Sequence, residues 1–303
     1  MTRSYPVLLG FLALVWGGSY FFIKVAIDEI EPAAMMFVRL AVAAAILVPF
    51  VMWQRGTADA VAELRAGWRP GLVLGAINAA IPFTLIAWGE KHIESGVAAI
   101  ANATVPIFVV LLAIRFKPSE RATGARLAGI LLGLVGVAVL TGGQPDLGLW
   151  PVLGVGAVVL ASLSYAAGGI YGQLRVAGTP GPVLAAASMT FGALILLPFA
   201  AFQIPATMPG WPTWASLAAL TIGGTALAQL VLYRMLRLHG ASRVSLVTYL
   251  MPPIALVYGV LLLGESLTWG VLGGLALILL GVALGSGALR IPRRTAAEAA
   301  PHG

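Results

Sequence analysis

Apolar residues run along this chain in ten stretches, each near the ~20 residues needed to cross a bilayer: about 7–27, 33–53, 70–89, 94–114, 124–142, 150–172, 181–202, 213–234, 244–263 and 268–289. Polar and charged positions gather in the short breaks between them, so the pattern predicts ten transmembrane helices. The first run could be mistaken for a secretory signal. It is long, however, and ends in Lys24, Asp28 and Glu29 without a small-residue cleavage motif, so it is read as a span. The longest break, about 54–69, carries Thr57, Asp59 and Glu63 and is expected to be a helical connector.

The ten runs form two sets of five with matching residues. Glu120, Gly129, Gly136 and Val137 recur at one constant offset as Glu265, Gly274, Gly281 and Val282. Ser95, Val97 and Pro106 recur as Ser242, Val244 and Pro253, at an offset two residues longer. Five spans is an odd number, so the second copy must cross the membrane in the opposite sense, and inverted repeats are a mark of secondary transporters. The expected fold is an all-α membrane protein with ten transmembrane helices as two inverted five-helix repeats around a central cavity. Residues 1–143 would form the first repeat, 144–290 the second, and 291–303 a disordered cytoplasmic tail.

Composition agrees. The chain is 60% hydrophobic and 10% charged, with a mean hydropathy of +0.97, whereas soluble domains carry about 25% charged residues. Charge then sets orientation. Arg3, Arg55, Arg65, Arg69, Arg115, Lys117, Arg121, Arg126, Arg175, Arg234, Arg237, Arg243, Arg290, Arg293 and Arg294 all fall on one side of the ten-span reading, and only Lys91 falls on the other. By the positive-inside rule this places both termini in the cytoplasm of a multi-pass inner-membrane protein. The net charge of +7 thus reports topology and gives no reason to expect a nucleic-acid partner. There is no cysteine, and His92, His239 and His302 are scattered, so no metal site or cofactor is expected. Every break is short, which leaves no soluble domain for an enzyme's active site.

The chemistry must therefore lie inside the bundle, where ionisable groups are costly and usually functional. Lys24, with Asp28 four residues on, is expected to form an ion pair at the outer interface. Arg39, two turns into the second span, is expected to clamp the first outer loop near Asp28, Glu29 and Glu31, with attraction of an anionic group as the other reading. No Asp or Glu is expected deep in a span, which argues against a proton-for-drug antiporter.

Polar side chains inside the spans fall into patterns. Thr221, Thr225, Gln229 and Tyr233 recur at four-residue spacing, so an α-helix would place them on one polar stripe, either interhelical glue or cavity lining. Asn78 precedes Pro82 by four, Asn102 precedes Pro106, Thr248 precedes Pro252 and Tyr249 precedes Pro253. Proline lacks the N–H that would bond the carbonyl four residues back. Each site should bend, leaving an acceptor either re-satisfied by packing or open to a substrate ammonium. Trp16, Tyr20, Phe83, Tyr165, Tyr233 and Tyr249 could line an aromatic chamber. Trp53, Trp68, Trp150, Trp211, Trp214 and Trp269 fit the interfacial belt. Gly129, Gly133 and Gly136, with Gly270, Gly273, Gly274 and Gly281, make small faces for close helix packing in spans five and ten.

The run Val15–Trp16–Gly17–Gly18–Ser19–Tyr20–Phe21, Arg39, an Ala-rich fourth span with Pro106, Met251–Pro252–Pro253, and Leu263–Gly264–Glu265 together resemble the EamA-type transporters of the drug/metabolite superfamily. The resemblance extends over about residues 5–289. It implies a basket of ten helices around a central cavity and a role in moving amino acids or metabolites, and the chain is most similar to the aromatic amino-acid exporter type. The second copy departs from the first: Ser188 stands opposite Arg39, and Ala161 opposite Trp16.

Three functions stay open. In an amino-acid exporter, Trp16, Tyr20, Phe83, Tyr165 and Tyr249 would line the chamber, with Tyr233 beside it, while Asn78, Asn102, Gln229 and Ser245 meet the ammonium and carboxylate. Pro82, Pro106, Pro252 and Pro253 would supply the bends, and alternating access would come from rocking of the two halves. The alternatives are a permease for a nucleoside, sugar phosphate or drug, and a lipid scramblase or membrane enzyme. The expected partners are a small-molecule substrate and the lipid bilayer, and a monomer suffices.

Overall fold

A computed structural model describes residues 4–116, 124–142, 148–176 and 178–285. The tail at 291–303 and Glu120 of the repeat lie outside them. Every regular element among the described residues is helical. In chain order these are α1 (Ser4–Ala26), α2 (Pro32–Arg55), α3 (Thr57–Ala66), α4 (Trp68–Gly75), π1 (Ala76–Ala80), α5 (Ile81–Glu90), α6 (Ser95–Asn102) and α7 (Val105–Phe116). Then follow α8 (Ala125–Gly142), α9 (Leu149–Arg175), α10 (Gly181–Ala201), α11 (Trp211–Ala218), π2 (Ala219–Leu227) and α12 (Ala228–His239). The chain closes with α13 (Ala241–Val244), α14 (Val247–Tyr258), π3 (Gly259–Leu263) and α15 (Trp269–Gly285).

Seven helical stretches are long and apolar enough to cross a membrane: Tyr5–Ala26, Pro32–Arg55, Trp68–Glu90, Ser95–Leu112, Leu149–Arg175, Gly181–Ala201 and Trp211–His239. Three shorter apolar helices, Leu127–Gly142, Val247–Leu263 and Trp269–Gly285, lie in the remaining three expected spans. The connector at 54–69 is the helix α3, tied to the end of α2 by an Arg55–Glu63 ion pair at 3.3 Å.

Helix starts follow local chemistry. Pro32, Pro182 and Pro212 stand in the first turns of α2, α10 and α11, where a missing N–H costs nothing. Outward faces are apolar: Leu131, Leu153, Leu194, Val257 and Leu261 are all exposed, as a lipid solvent requires. The six tryptophans assigned to the interfacial belt are exposed as well.

The packing has a regular order. α2 lies against α10, α6 against α14, and α8 against α15. α5 packs on α9 while α1 packs on α11, π2 and α12. α4 packs on α10 while α2 packs on π2, and α7 packs on α9 while α1 packs on α14. The α8–α15 seam is built on glycine. A Cβ at Gly129 would lie 2.6 Å from the Gly281 carbonyl oxygen, and one at Gly274 would lie 3.1 Å from that of Gly136. The backbones thus touch, as small-residue faces allow.

Candidate functional site

The site begins where two helices lose α geometry. In π1 and π2 the carbonyls bond five residues ahead, and such bulges are frequent at functional sites. They place Asn78, Gly224 and Thr225 on the wall of one central cavity of about 290 Å³. Trp16, Tyr20, Arg39, Phe83, Asn102, Tyr165, Gln229, Thr248, Met251 and Pro252 complete most of its lining. The volume sits near the lower end of the ~300–1,000 Å³ usual for small-ligand sites.

The sequence placed Trp16, Tyr20, Asn78, Phe83, Asn102, Tyr165, Gln229 and Pro252 together, and the structure brings all eight to this cavity. It leaves Tyr233, Ser245, Tyr249, Pro82, Pro106, Pro253 and Lys24 outside the lining. Ser245 is exposed, and Tyr249 is half-buried against the main core. Tyr233 lies against Gly181 at the start of α10. Of the span-eight stripe, Thr225 and Gln229 line the cavity while Thr221 and Tyr233 do not; Thr221 and Thr225 are buried, and Thr225 Oγ1 donates to the Leu220 carbonyl at 3.0 Å within π2.

Arg39 does not clamp the first outer loop. Its guanidinium is buried in the cavity wall, with Nε donating to Thr225 Oγ1 at 2.8 Å and Cζ 4.1 Å above the Phe83 ring. Nη1 reaches only the Met36 sulfur, at 3.9 Å. The ion pairs among the described residues are Arg55–Glu63 and Lys91–Glu31, so Arg39 faces the cavity without a carboxylate. Deep burial of an unpaired cation is expensive and calls for an anionic partner.

The freed carbonyls also differ from expectation. At Pro106 the helix breaks, α6 ending at Asn102 and α7 starting at Val105, and Ser162 Oγ from α9 donates to the Asn102 carbonyl at 3.3 Å. At Pro82, π1 moves the orphan acceptor one residue back: Ile81 N–H bonds Ala76, and the carbonyl left without an N–H is Ile77, which takes Ser164 Oγ at 2.6 Å. Ser164 of α9 thus re-satisfies the backbone at Pro82 in place of a substrate ammonium, while at Pro106 the single Ser162 proton is shared among the Asn102 carbonyl, the Asn102 amide oxygen and the Val158 carbonyl. Side chains complete the polar wall. Asn102 Nδ2 donates to the Tyr20 hydroxyl at 2.8 Å, its Oδ1 accepts from Ser162 at 3.1 Å, and Trp16 Nε1 donates to the Gly224 carbonyl at 3.2 Å. Phe83 and Tyr165 have ring centroids 6.3 Å apart, an aromatic pair on the cavity's edge.

Beyond one end of the cavity, carboxylates tie helix ends together. Glu265 takes the Ser95 and Gly96 N–H groups at 2.6 and 3.0 Å, capping α6. Gly264, at φ +67, supplies the left-handed turn that aims it there. Glu94 holds Ser266 through N and Oγ at 3.0 and 2.8 Å, and Glu31 pairs with Lys91 at 2.7 Å. Glu29 binds Gly210 N at 2.8 Å and Thr213 Oγ1 at 2.5 Å. The Thr213 hydroxyl, then the Gly210 N–H, hold its carboxyl below the usual range. Lys24 does not pair with Asp28: its Nζ donates to the main-chain oxygens of Glu90 and Ile93, stitching α1 to the end of α5. At the opposite, arginine-bearing end, Tyr5 OH donates to the Arg243 carbonyl at 3.0 Å.

Glu90 is a buried carboxylate at the end of a span, where the hydropathy pattern gave no sign of it. It closes α5 just past the predicted run 70–89 and is 0% exposed. Hydropathy could not show this, because the cover comes from Lys24, 66 residues away.

Residues 4–142 and 152–287 each match the EamA-like transporter family. A probable terminal-alkyne amino-acid exporter of Streptantibioticus cattleyicolor is 32% identical, over 93% of this chain and 91% of its own. An uncharacterized transporter of Archaeoglobus fulgidus is 25% identical over 91% and 96%, and the uncharacterized inner membrane transporter YedA of Escherichia coli K12 is 25% identical over 90% and 89%. A solved crystal structure, 20% identical, superposes with a TM-score of 0.65 over 95% of this chain and 98% of its own, a likeness of fold.

Proposed function

The chain belongs to the EamA-like transporter family, and we propose that it exports amino acids with large apolar side chains through the central cavity. The observation that carries this is Arg39, a buried guanidinium that lines an aromatic-walled cavity and has no carboxylate in ion-pair contact. A substrate carboxylate supplies the missing charge, and Phe83, Tyr165, Trp16 and Met251 receive the side chain. The ammonium meets the amide oxygens of Asn78 and Gln229. The S. cattleyicolor relative, named as a probable amino-acid exporter, favours the same class.

Two further features support the way solute would cross. Exchanging each expected span with its counterpart five places on returns the same packing pairs, α5–α9 with α1–α12 and α7–α9 with α1–α14. With the family matching twice, this supports two inverted repeats, ten spans and alternating access. The positive-inside rule puts the arginine end in the cytoplasm. The carboxylate ties then close the outer face, and Gln229, Leu232, Val247 and Thr248 carry the cavity wall toward the inner one.

The test is flux of labelled amino acids, nucleosides and sugar phosphates through the purified protein in liposomes. Flux of phenylalanine, leucine and their like supports the reading. Flux confined to nucleosides or sugar phosphates overturns the substrate assignment, and lipid flipping without solute flux overturns transport of solutes.

A further inference from the structure

Glu90 is the one carboxyl group among the described residues that is fully buried with both oxygens lacking a hydrogen bond. It shares a face of α5 with Phe83 and Ile86, at i, i+3 and i+7, and both of those line the cavity. Glu90 therefore sits one turn beyond the cavity toward the end tied by carboxylates. The charged and titratable groups that face it are Lys24 and Tyr20 of α1, Arg39 of α2, and Glu265 between π3 and α15. From α9, Gly154 and Val158 lie against Gly89, and Tyr165 stands lower, beside Phe83. Ser95 of α6 stands against Glu265 and Gly259, with its hydroxyl buried and unbonded. Lys24, the natural counter-ion, spends its ammonium on the Glu90 and Ile93 carbonyl oxygens instead.

We infer that Glu90 is a proton-binding site whose occupancy holds the outer end shut. A carboxylate buried with no donor costs several kcal/mol and neutralises instead, so the closed state binds a proton at Glu90. A metal cation is disfavoured: no group of three or more acidic or histidine ligands occurs among the described residues, and Lys24 and Arg39 add two positive charges. Breaking the Lys24 stitch parts α1 from α5, water reaches the Glu90 oxygens, and the proton leaves to the outer solution. Because the closed state holds one more proton than the open state, acid outside favours closure and alkali favours opening. The use of this site in a transport cycle rests on the export reading; the site itself does not.

The experiment needs no substrate. The chain has no cysteine, so Ile86→Cys places a single thiol on the outer part of the cavity, labelled in intact cells by a membrane-impermeant maleimide. Raising the outside from about pH 6 to about pH 9 should increase labelling by up to about tenfold per pH unit beyond the thiol's own pH dependence. That intrinsic dependence is read from the same cysteine in a Glu90→Gln background, where no excess should remain, and Glu90→Asp should restore it. Equal pH dependence in all three backgrounds overturns the proposal, as does labelling that follows sodium at fixed pH. Should Glu90→Gln fail to fold, infrared spectra of the unsubstituted protein decide: a neutral carboxyl band persisting at about pH 8 supports the site, and its absence overturns it. Failure of the labelling test with intact amino-acid flux removes the proton site alone, while pH-gated labelling without amino-acid flux removes the substrate assignment alone.

Discussion

Arg39 carries the one charged side chain on the cavity wall among the described residues, and its surroundings set what a substitution does. A charge-assisted bond to a substrate carboxylate contributes about 1.5–3 kcal/mol. Arg39→Gln should therefore raise the KM for phenylalanine about 10–100-fold in liposome flux, while thermal unfolding in detergent shows the protein still folded. Arg39→Lys, which cannot keep both the Thr225 bond and the ring contact, should fall between the two. Glu29 gives a pH prediction at the same scale. Its carboxyl is held low in the folded state by Thr213 and Gly210, so the bond stabilises at neutral pH and is lost as pH falls through the glutamate range. Glu29→Gln should unfold at a lower temperature than the parent at about pH 7, and the gap should close only below about pH 4, as the lowered carboxyl takes up its proton. The sequence shows the residues that make the cavity, because Trp16, Asn78, Asn102 and Gln229 are polar or aromatic positions inside apolar runs. It does not show their partners. Arg39 sits close in sequence to Glu29 and Glu31, yet it bonds Thr225, 186 residues away.

The elements were legible wherever a long apolar run forces a helix, and less so where backbone geometry changes within the run. Nothing in the composition of Ala76–Ala80 or Ala219–Leu227 separates a π turn from an α turn, since both are short stretches inside a continuous apolar run. The displacement of one residue in π1 is what shifted the orphan carbonyl from Asn78 to Ile77. Ser164→Ala should leave that buried carbonyl unbonded and cost about 1–3 kcal/mol of stability, measured by chemical unfolding in micelles. The glycine seam of spans five and ten was readable from spacing alone, and its energetics are sharp. A Cβ at Gly281 would stand 2.7 Å from both the Gly129 carbonyl oxygen and the Gly133 nitrogen, whereas one at Gly10 meets nothing within 4 Å. Gly281→Ala should lower the unfolding temperature by an amount that corresponds to about 1–3 kcal/mol of overpacking, and Gly10→Ala should not lower it.

Across the whole molecule, the contrast between the two ends defines the state. One end is held by Glu29, Glu31, Glu94, Glu265 and Lys24, each bonding a residue distant in sequence, and at the arginine-bearing end Tyr5 bonds the Arg243 carbonyl. Alternating access requires the outer contacts to break in each cycle. A disulfide between Glu94→Cys and Ser266→Cys should stop flux under oxidation, and reduction should restore it. The central claim is that the cavity selects a carboxylate through Arg39 and an apolar side chain through its aromatic wall. The most direct measurement is competition against labelled phenylalanine flux by phenylalanine, its amide and phenethylamine, in the parent and in Arg39→Gln. The account predicts that phenylalanine alone competes strongly in the parent and that the preference disappears in Arg39→Gln. Equal competition by the amide and the amine in the parent would contradict it.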